Sequence, residues 1–156
     1  MKYDDASWHY NGDFPENISK EAASTHIAMF VIWCLLNGLT GEIYTDEIPE
    51  QLEKLKNRIQ TPGQWFIENC DEKFTNEVLN EVGNKFATIF YASDDAEYLN
   101  IYEKVLGENL GSLYSVPDNW ESYDKLAPYI DIKFKQWSSK NWLTRRLSVI
   151  RNAWRF

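Results

Sequence analysis

An all-α single domain is predicted, a bundle of six to seven helices around a buried central helix at about residues 20–37. Three observations carry that prediction. The stretch from His26 to Leu36 is apolar on every face of the helix it would form, which only a helix surrounded by other elements tolerates. Apolar residues recur at helical spacing through most of the remaining chain. Large rings supply 15% of 156 residues, enough to build a compact core without disulfides or metals.

In order along the chain, Ser19 is the expected N-cap of the central helix and Gly38 its terminating glycine. Gly41 to Asp46 reads as a connector. Ile48, Leu52, Leu55 and Ile59 form the apolar stripe of an amphipathic helix with Pro49 in its first turn. Thr61 and Pro62 predict a cap followed by proline at the first helical position, and Trp65 and Phe66 anchor that helix. Thr75 and then Val78 to Tyr91 predict another, burying Val78, Leu79, Val82, Phe86, Ile89 and Phe90. Ser93 is the expected cap of a helix carrying Tyr98, Leu99, Tyr102 and Leu106. Gly111 to Pro117 reads as an ordered loop. Asp118 and Glu121 have capping-box spacing, before a helix with Tyr123, Leu126, Ile130, Phe134 and Trp137 on one face and an interruption or kink at Pro128. Leu143, Leu147, Ile150 and Trp154 form the stripe of a basic C-terminal helix. Residues 1–138 are taken as the domain proper, with 139–156 packed on it or extending it.

Charge divides the chain unevenly. The net charge is −8, yet residues 138–156 hold five bases and no acid, which leaves 11 bases against all 24 acids and a balance of −13 elsewhere. That field disfavours nucleic acid and points to a neutral or basic partner. The longest apolar run falls far short of the roughly 20 residues that span a bilayer, and the start lacks the pattern of a secretory signal. A cytoplasmic protein that makes no use of a membrane is the expectation. Cys34 and Cys70 fit neither a CxxC nor a zinc spacing. Cys34 reads as a small buried apolar residue, and no histidine lies near Cys70 in sequence to activate it.

The first ten residues concentrate the remaining chemistry. Asp4, Asp5 and Asp13 with His9 and His26 contain the ingredients of an acid–base pair or a divalent-metal site. Their spacing matches no recognised metal or catalytic motif, and the serine-hydrolase, P-loop and dinucleotide fingerprints are absent. The expectation is therefore no catalytic residue, no metal and no cofactor, with the two histidines hydrogen-bonded inside the fold. His26, Phe30, Trp33 and Asn37 share one helical stripe, which reads as core. Asp46, Glu47, Glu50 and Glu53, and Asp94, Asp95 and Glu97, read as solvated helix starts or as an acidic face for a basic partner. Trp120 and Tyr123 are candidate aromatic anchors for such an interface. The candidate binding residues are thus Asp4, Asp5, Trp8, His9, His26, Trp120 and Tyr123.

The run Tyr3-Asp4-Asp5-Ala6-Ser7-Trp8-His9-Tyr10, with Asp13-Phe14-Pro15, Thr25-His26-Ile27, Thr61-Pro62-Gly63, Asp71-Glu72-Lys73-Phe74 and Ser112-Leu113-Tyr114-Ser115-Val116, resembles a family of small bacterial proteins of unknown function. The resemblance extends over about residues 1–138 and brings no reaction with it. In size and charge the chain is similar to bacterial immunity proteins, an analogy of class alone. The resulting expectation is a non-catalytic protein that occludes a basic toxin domain, as a monomer or homodimer. The alternative is a small-molecule-binding protein or enzyme with a pocket around Trp8, His9 and His26.

Overall fold

The computed structural model describes the backbone of residues 1–153 and the side chains of residues 1–140. The chain is mostly helical with one small antiparallel sheet. Its elements run β1 (Lys2–Asp5), α1 (Ala6–Tyr10), α2 (Thr25–Leu36), α3 (Pro49–Lys56), α4 (Pro62–Cys70), β2 (Lys73–Thr75), α5 (Glu81–Phe90), α6 (Tyr98–Tyr102) and α7 (Trp120–Ala153). Short 3-10 turns at Lys20–Ser24, Asn76–Val78 and Leu113–Ser115, and π-helical turns at Ile43–Glu47 and Glu103–Gly107, join them.

The apolar stretch becomes α2, in which every residue from Thr25 to Leu35 is buried. Its entry differs from expectation. Residues 20–24 form a 3-10 turn, and the Ser19 side chain does not cap it but donates to Glu21. Its exit follows expectation. Gly38 takes φ +75°, while the amides of Gly38 and Leu39 donate back to the carbonyls of Leu35 and Cys34 at 3.4 and 3.0 Å. That is a Schellman closure, and the left-handed residue at its turn is the one without a Cβ.

Rings fill the space around α2. Phe30 meets Phe74, Phe86, Phe90, Tyr91 and Tyr98 at centroid separations of 4.9 to 6.0 Å. Trp33 packs on Phe86 and Phe134 and donates its indole N–H to Asp131 of α7 at 2.9 Å, so a buried polar group on the helix finds a partner.

The sheet is the element that sequence periodicity missed. β1 pairs with β2, with Lys2 opposite Thr75, Asp4 opposite Phe74 and Asp5 opposite Lys73, and a bulge between Lys2 and Asp4. Segments of four and three residues carry no measurable alternation, and their partners lie some seventy residues apart.

Other expectations change as well: Ile59, expected on the stripe of α3, lies past its end and is exposed, and Leu99 of α6 is exposed. On α5 the buried stripe is Gly83, Phe86, Ala87 and Phe90, capped by Asn80, while Val82 and Ile89 are exposed. Ser93 caps nothing and donates to the Ile89 carbonyl. Asp118 forms no capping box with Glu121. Its carboxylate instead accepts from the Thr61 hydroxyl and from the Gly63 amide at 2.7 Å, at the N-terminus of α4, and Asn119 serves α7 through the Ser122 amide. Thr61 and Gln64 form the capping box of α4, with Pro62 in its first turn.

α7 passes Pro128 without interruption. Both Pro128 and Asp124, whose carbonyl loses its partner there, lie on the exposed side, where water replaces the missing bond. The stripe Leu143, Leu147 and Ile150 and the arginines beyond residue 140 lie outside the described side chains, and Trp154 lies outside the described residues. No helix of the described residues is long and apolar enough to cross a membrane.

Candidate functional site

The β1–β2 pairing fixes where the chain's first chemistry-bearing residues go. Asp4 is paired with Phe74, and Tyr3 packs at a tilt on that same ring with centroids 4.8 Å apart. The strand then turns into α1 at Asp5, whose carboxylate accepts from the Ser7 amide at 3.0 Å as an N-cap. This short helix carries His9 back over Asp4, and the first turn of α2 presents His26 from below.

Asp4 is the hub. Its Oδ1 accepts from the Asp5 amide at 2.8 Å and lies 2.9 Å from His9 Nε2. Its Oδ2 accepts from the Tyr91 hydroxyl at 2.5 Å and lies 3.8 Å from His26 Nε2. The second nitrogen of His9, Nδ1, is 3.1 Å from the Tyr114 hydroxyl. The imidazoles of His9 and His26 meet edge to face with centroids 4.5 Å apart. One potential ligand atom from each of Asp4, His9 and His26 lies within 4.8 Å of the other two.

The members differ in exposure. His9 and Tyr114 are half-buried, whereas His26 is 3% exposed. The Nδ1 of His26 has no hydrogen-bond partner, nor do the nearby buried hydroxyls of Ser24 and Tyr102. Its Nε2 is beyond hydrogen-bond reach of Asp4. A buried imidazole with neither nitrogen hydrogen-bonded departs from the usual rule for interior polar groups.

Electrostatics follow from that burial. Burial pushes His26 down to about 4, with His9 acting in the same direction and Asp4 opposing, so the ring is neutral near pH 7. For Asp4, burial acts upward, but the bonds from His9 and Tyr91 and the attraction of the two imidazoles outweigh it and hold the carboxyl below its usual value. Burial and the Asp4 carboxylate both raise Tyr91 and Tyr114, so each stays a neutral hydroxyl.

The structure brings together Asp4, His9 and His26, and adds Tyr91 and Tyr114. Tyr91 resembles any other core ring in the sequence, and Tyr114 stands out only as part of the Ser112–Val116 stretch, about a hundred residues from His9. Asp5 is separate. Burial would raise it, but Lys2 at 2.5 Å and Ser7 hold it down to about 2, and it caps α1. Trp8 faces away, 56% exposed, with the Lys2 ammonium 4.8 Å above its ring. Trp120 and Tyr123 lie elsewhere. Trp120 donates to the Gln60 carbonyl at 2.8 Å beneath the Arg58 guanidinium, and Tyr123 is buried. Asp13 is exposed and apart from the cluster. Cys70 is pushed up to about 12 by burial, with Tyr44 beside it at 3.3 Å, which leaves it a thiol rather than a nucleophile.

A second feature lies on another face. The π-turn at residues 43–47 and the 3-10 turn at residues 76–78 enclose a groove of about 470 Å³ lined by Gly41, Glu42, Ile43, Glu47, Glu77, Leu79, Asn80 and Glu81. Four of these are carboxylates and none is basic. The walls approach closely because Gly41 donates to the Val78 carbonyl at 2.9 Å, and a Cβ on Gly41 would stand 2.2 Å from the Glu77 carbonyl oxygen.

Fold and site together define a mostly helical domain with a carboxylate held between two histidines. A domain of unknown function (DUF7832) covers residues 2–116, and the chain belongs to that family. The matched stretch contains every member of the histidine cluster and ends before α7. No curated protein and no solved structure matches the chain.

Proposed function

We propose that this is a non-catalytic binding protein of the bacterial immunity type, cytoplasmic, which occludes a basic toxin domain with an acidic face. The observation that carries the proposal is the groove bordered by Glu42, Glu47, Glu77 and Glu81, with no base in its lining and the exposed Ile43 at its edge. A row of carboxylates around a small apolar contact steers a cationic partner and gives it a place to dock. The −13 balance of the chain before residue 138 supplies the long-range field. The same proposal takes the domain as a bundle around α2, monomeric or paired through α7.

Co-expression with the product of the adjacent gene tests it. The expected result is a stoichiometric complex with loss of the toxin's activity, and association slowed about tenfold or more in Glu47→Lys/Glu77→Lys at low salt. A neighbouring toxin that neither binds nor loses activity at a 1:1 ratio refutes the proposal.

A second reading, a ligand-binding or catalytic pocket around His9 and His26, is favoured by one observation. His9 lies within hydrogen-bond distance of a carboxylate and beside a buried, unpartnered imidazole. Trp8 has no part in it.

A further inference from the structure

Three side chains of metal-binding type reach one point from three elements: Asp4 near the end of β1, His9 on α1 and His26 on α2. We propose that Asp4, His9 and His26 form a binding site for one divalent transition-metal ion, of which Zn²⁺ is the representative. The inference is independent of the partner reading and stands or falls without it.

Geometry is the first support. Ligand atoms around a tetrahedral ion, at bonds of about 2.0–2.2 Å, stand roughly 3.3–3.6 Å apart. The separations here are 2.9 Å from His9 Nε2 to Asp4 Oδ1 and 3.8 Å from His26 Nε2 to Asp4 Oδ2, and one ligand atom from each of the three residues lies within 4.8 Å of the others, close enough to converge on that spacing. Binding an ion requires the Asp4–His9 separation to widen and the Asp4–His26 separation to close toward a common spacing.

The orphaned imidazole is the second. His26 is buried, yet its Nδ1 has no partner and its Nε2 has only a distant carboxylate. Burying a polar group without a partner costs free energy. A metal bond at Nε2 gives that nitrogen the partner it lacks, while Nδ1 then carries the ring proton.

The supporting shell is the third. A ligating carboxylate is normally held by hydrogen bonds, and a ligating histidine has its other nitrogen engaged. Asp4 accepts from Tyr91 and from the Asp5 amide. His9 Nδ1 faces the Tyr114 hydroxyl. When Nε2 of His9 takes the ion, the ring carries its proton on Nδ1 and donates it to the Tyr114 oxygen, so no net proton need leave the ring. Two imidazoles and one carboxylate suit zinc, iron, cobalt and nickel better than the all-oxygen ions calcium and magnesium. Three protein ligands leave the fourth position for water or a small ligand, reached from the side of half-exposed His9.

The experiment uses full-length protein stripped with EDTA and dialysed free of it. ZnCl₂ is titrated by calorimetry and CoCl₂ by visible absorption, and the histidine ring nitrogens are followed by NMR. The expected result is one equivalent of Zn²⁺, d–d bands from Co²⁺ of low coordination number, and metal-dependent shifts of the ring nitrogens of both His9 and His26. Losing a supporting partner alone weakens a metal site roughly 10–100-fold, so removal of a ligand in His9→Gln or Asp4→Asn is expected to weaken binding about 100-fold or more. His9 is half-exposed, so His9→Gln tests the ligand with the least threat to the fold, and the NMR arm needs no variant. Less than a tenth of an equivalent bound, or equal affinity in both variants, overturns the proposal. So does binding that leaves the His26 ring nitrogens unmoved, because that places the ion on surface carboxylates.

Discussion

Acid should unfold this protein through His26 before it touches the carboxylates. In metal-free protein the buried ring has a folded pKa of about 4, against roughly 6.5 when exposed in the unfolded chain. The folded value is the lower one, so the unfolded chain binds the extra proton. The stability is therefore complete above about pH 6.5 and is lost as pH falls toward 4. At 1.36 kcal/mol per pK unit the full difference is about 3 kcal/mol, of which roughly 2–3 kcal/mol is gone by pH 4.5. That is a large share of the typical 5–15 kcal/mol of a domain. Asp4 adds a second loss in the same direction, but only as pH approaches the ordinary carboxylate range, because its own pKa is depressed.

Urea denaturation at several pH values between 8 and 4.5, in EDTA, measures the effect. The midpoint should fall steadily below about pH 6.5, and the slope of His26→Gln, which has nothing to titrate, should be flatter by one proton. Because Gln at that position also changes packing, the NMR titration of the wild-type ring is the independent check. A His26 that titrates near 6.5, or a stability flat between pH 7 and 5, refutes the argument. Either outcome means that the ring is hydrated or hydrogen-bonded in solution.

Removing the Tyr91 hydroxyl in Tyr91→Phe deletes the 2.5 Å bond to Asp4 and should cost about 1–3 kcal/mol, read by chemical denaturation. Asp118→Ala removes the carboxylate that binds the Thr61 hydroxyl and the Gly63 amide. Loss of this cap from a neighbouring helix should lower stability by about 1–2 kcal/mol with little change in helical circular dichroism. Gly41→Ala places a Cβ on the Glu77 carbonyl and forces the acidic groove apart. Its expected signature is a lower Tm together with chemical-shift changes confined to the turns at residues 43–47 and 76–78, whereas an unchanged Tm would mean that the turn relaxes freely.

How much of this was legible in the sequence depended on how local the cause was. The burial of α2, the glycine closure after it, and the Thr61–Pro62 start of α4 follow from residues within one or two turns of each other, and they stand as expected. Ser19, Ser93 and Asp118 all had good capping chemistry, but competing partners captured each side chain, and for Asp118 that partner is 55 residues away. The stripe on α5 was right at Phe86 and Phe90 but drawn too wide, because Val82 and Ile89, which are exposed, are as apolar as the residues that are buried. The candidate site was half legible. Asp4 and His9 lie five residues apart and invite pairing, but the placement of His26 between Asp4 and Tyr102 is a property of packing.

The sheet explains why the site exists at all. A five-residue helix such as α1 is too short to stabilise itself, so something else must hold His9 in position. β1 does this by pairing with β2, the Ala6 amide extends the pairing to the Glu72 carbonyl at 3.0 Å, and Asp5 caps the turn that follows. The carboxylate and the first histidine are thus carried into place by the strand and the short helix after it, with His9 also packed on His26, whereas the second histidine is positioned by the core. A ligand that closes the 3.8 Å gap would then tie the N-terminal strand to the central helix, and its effect should be largest on amide exchange in β1 and the first turn of α2. Uniform protection across the chain would instead mean that the strand and the helix already unfold together.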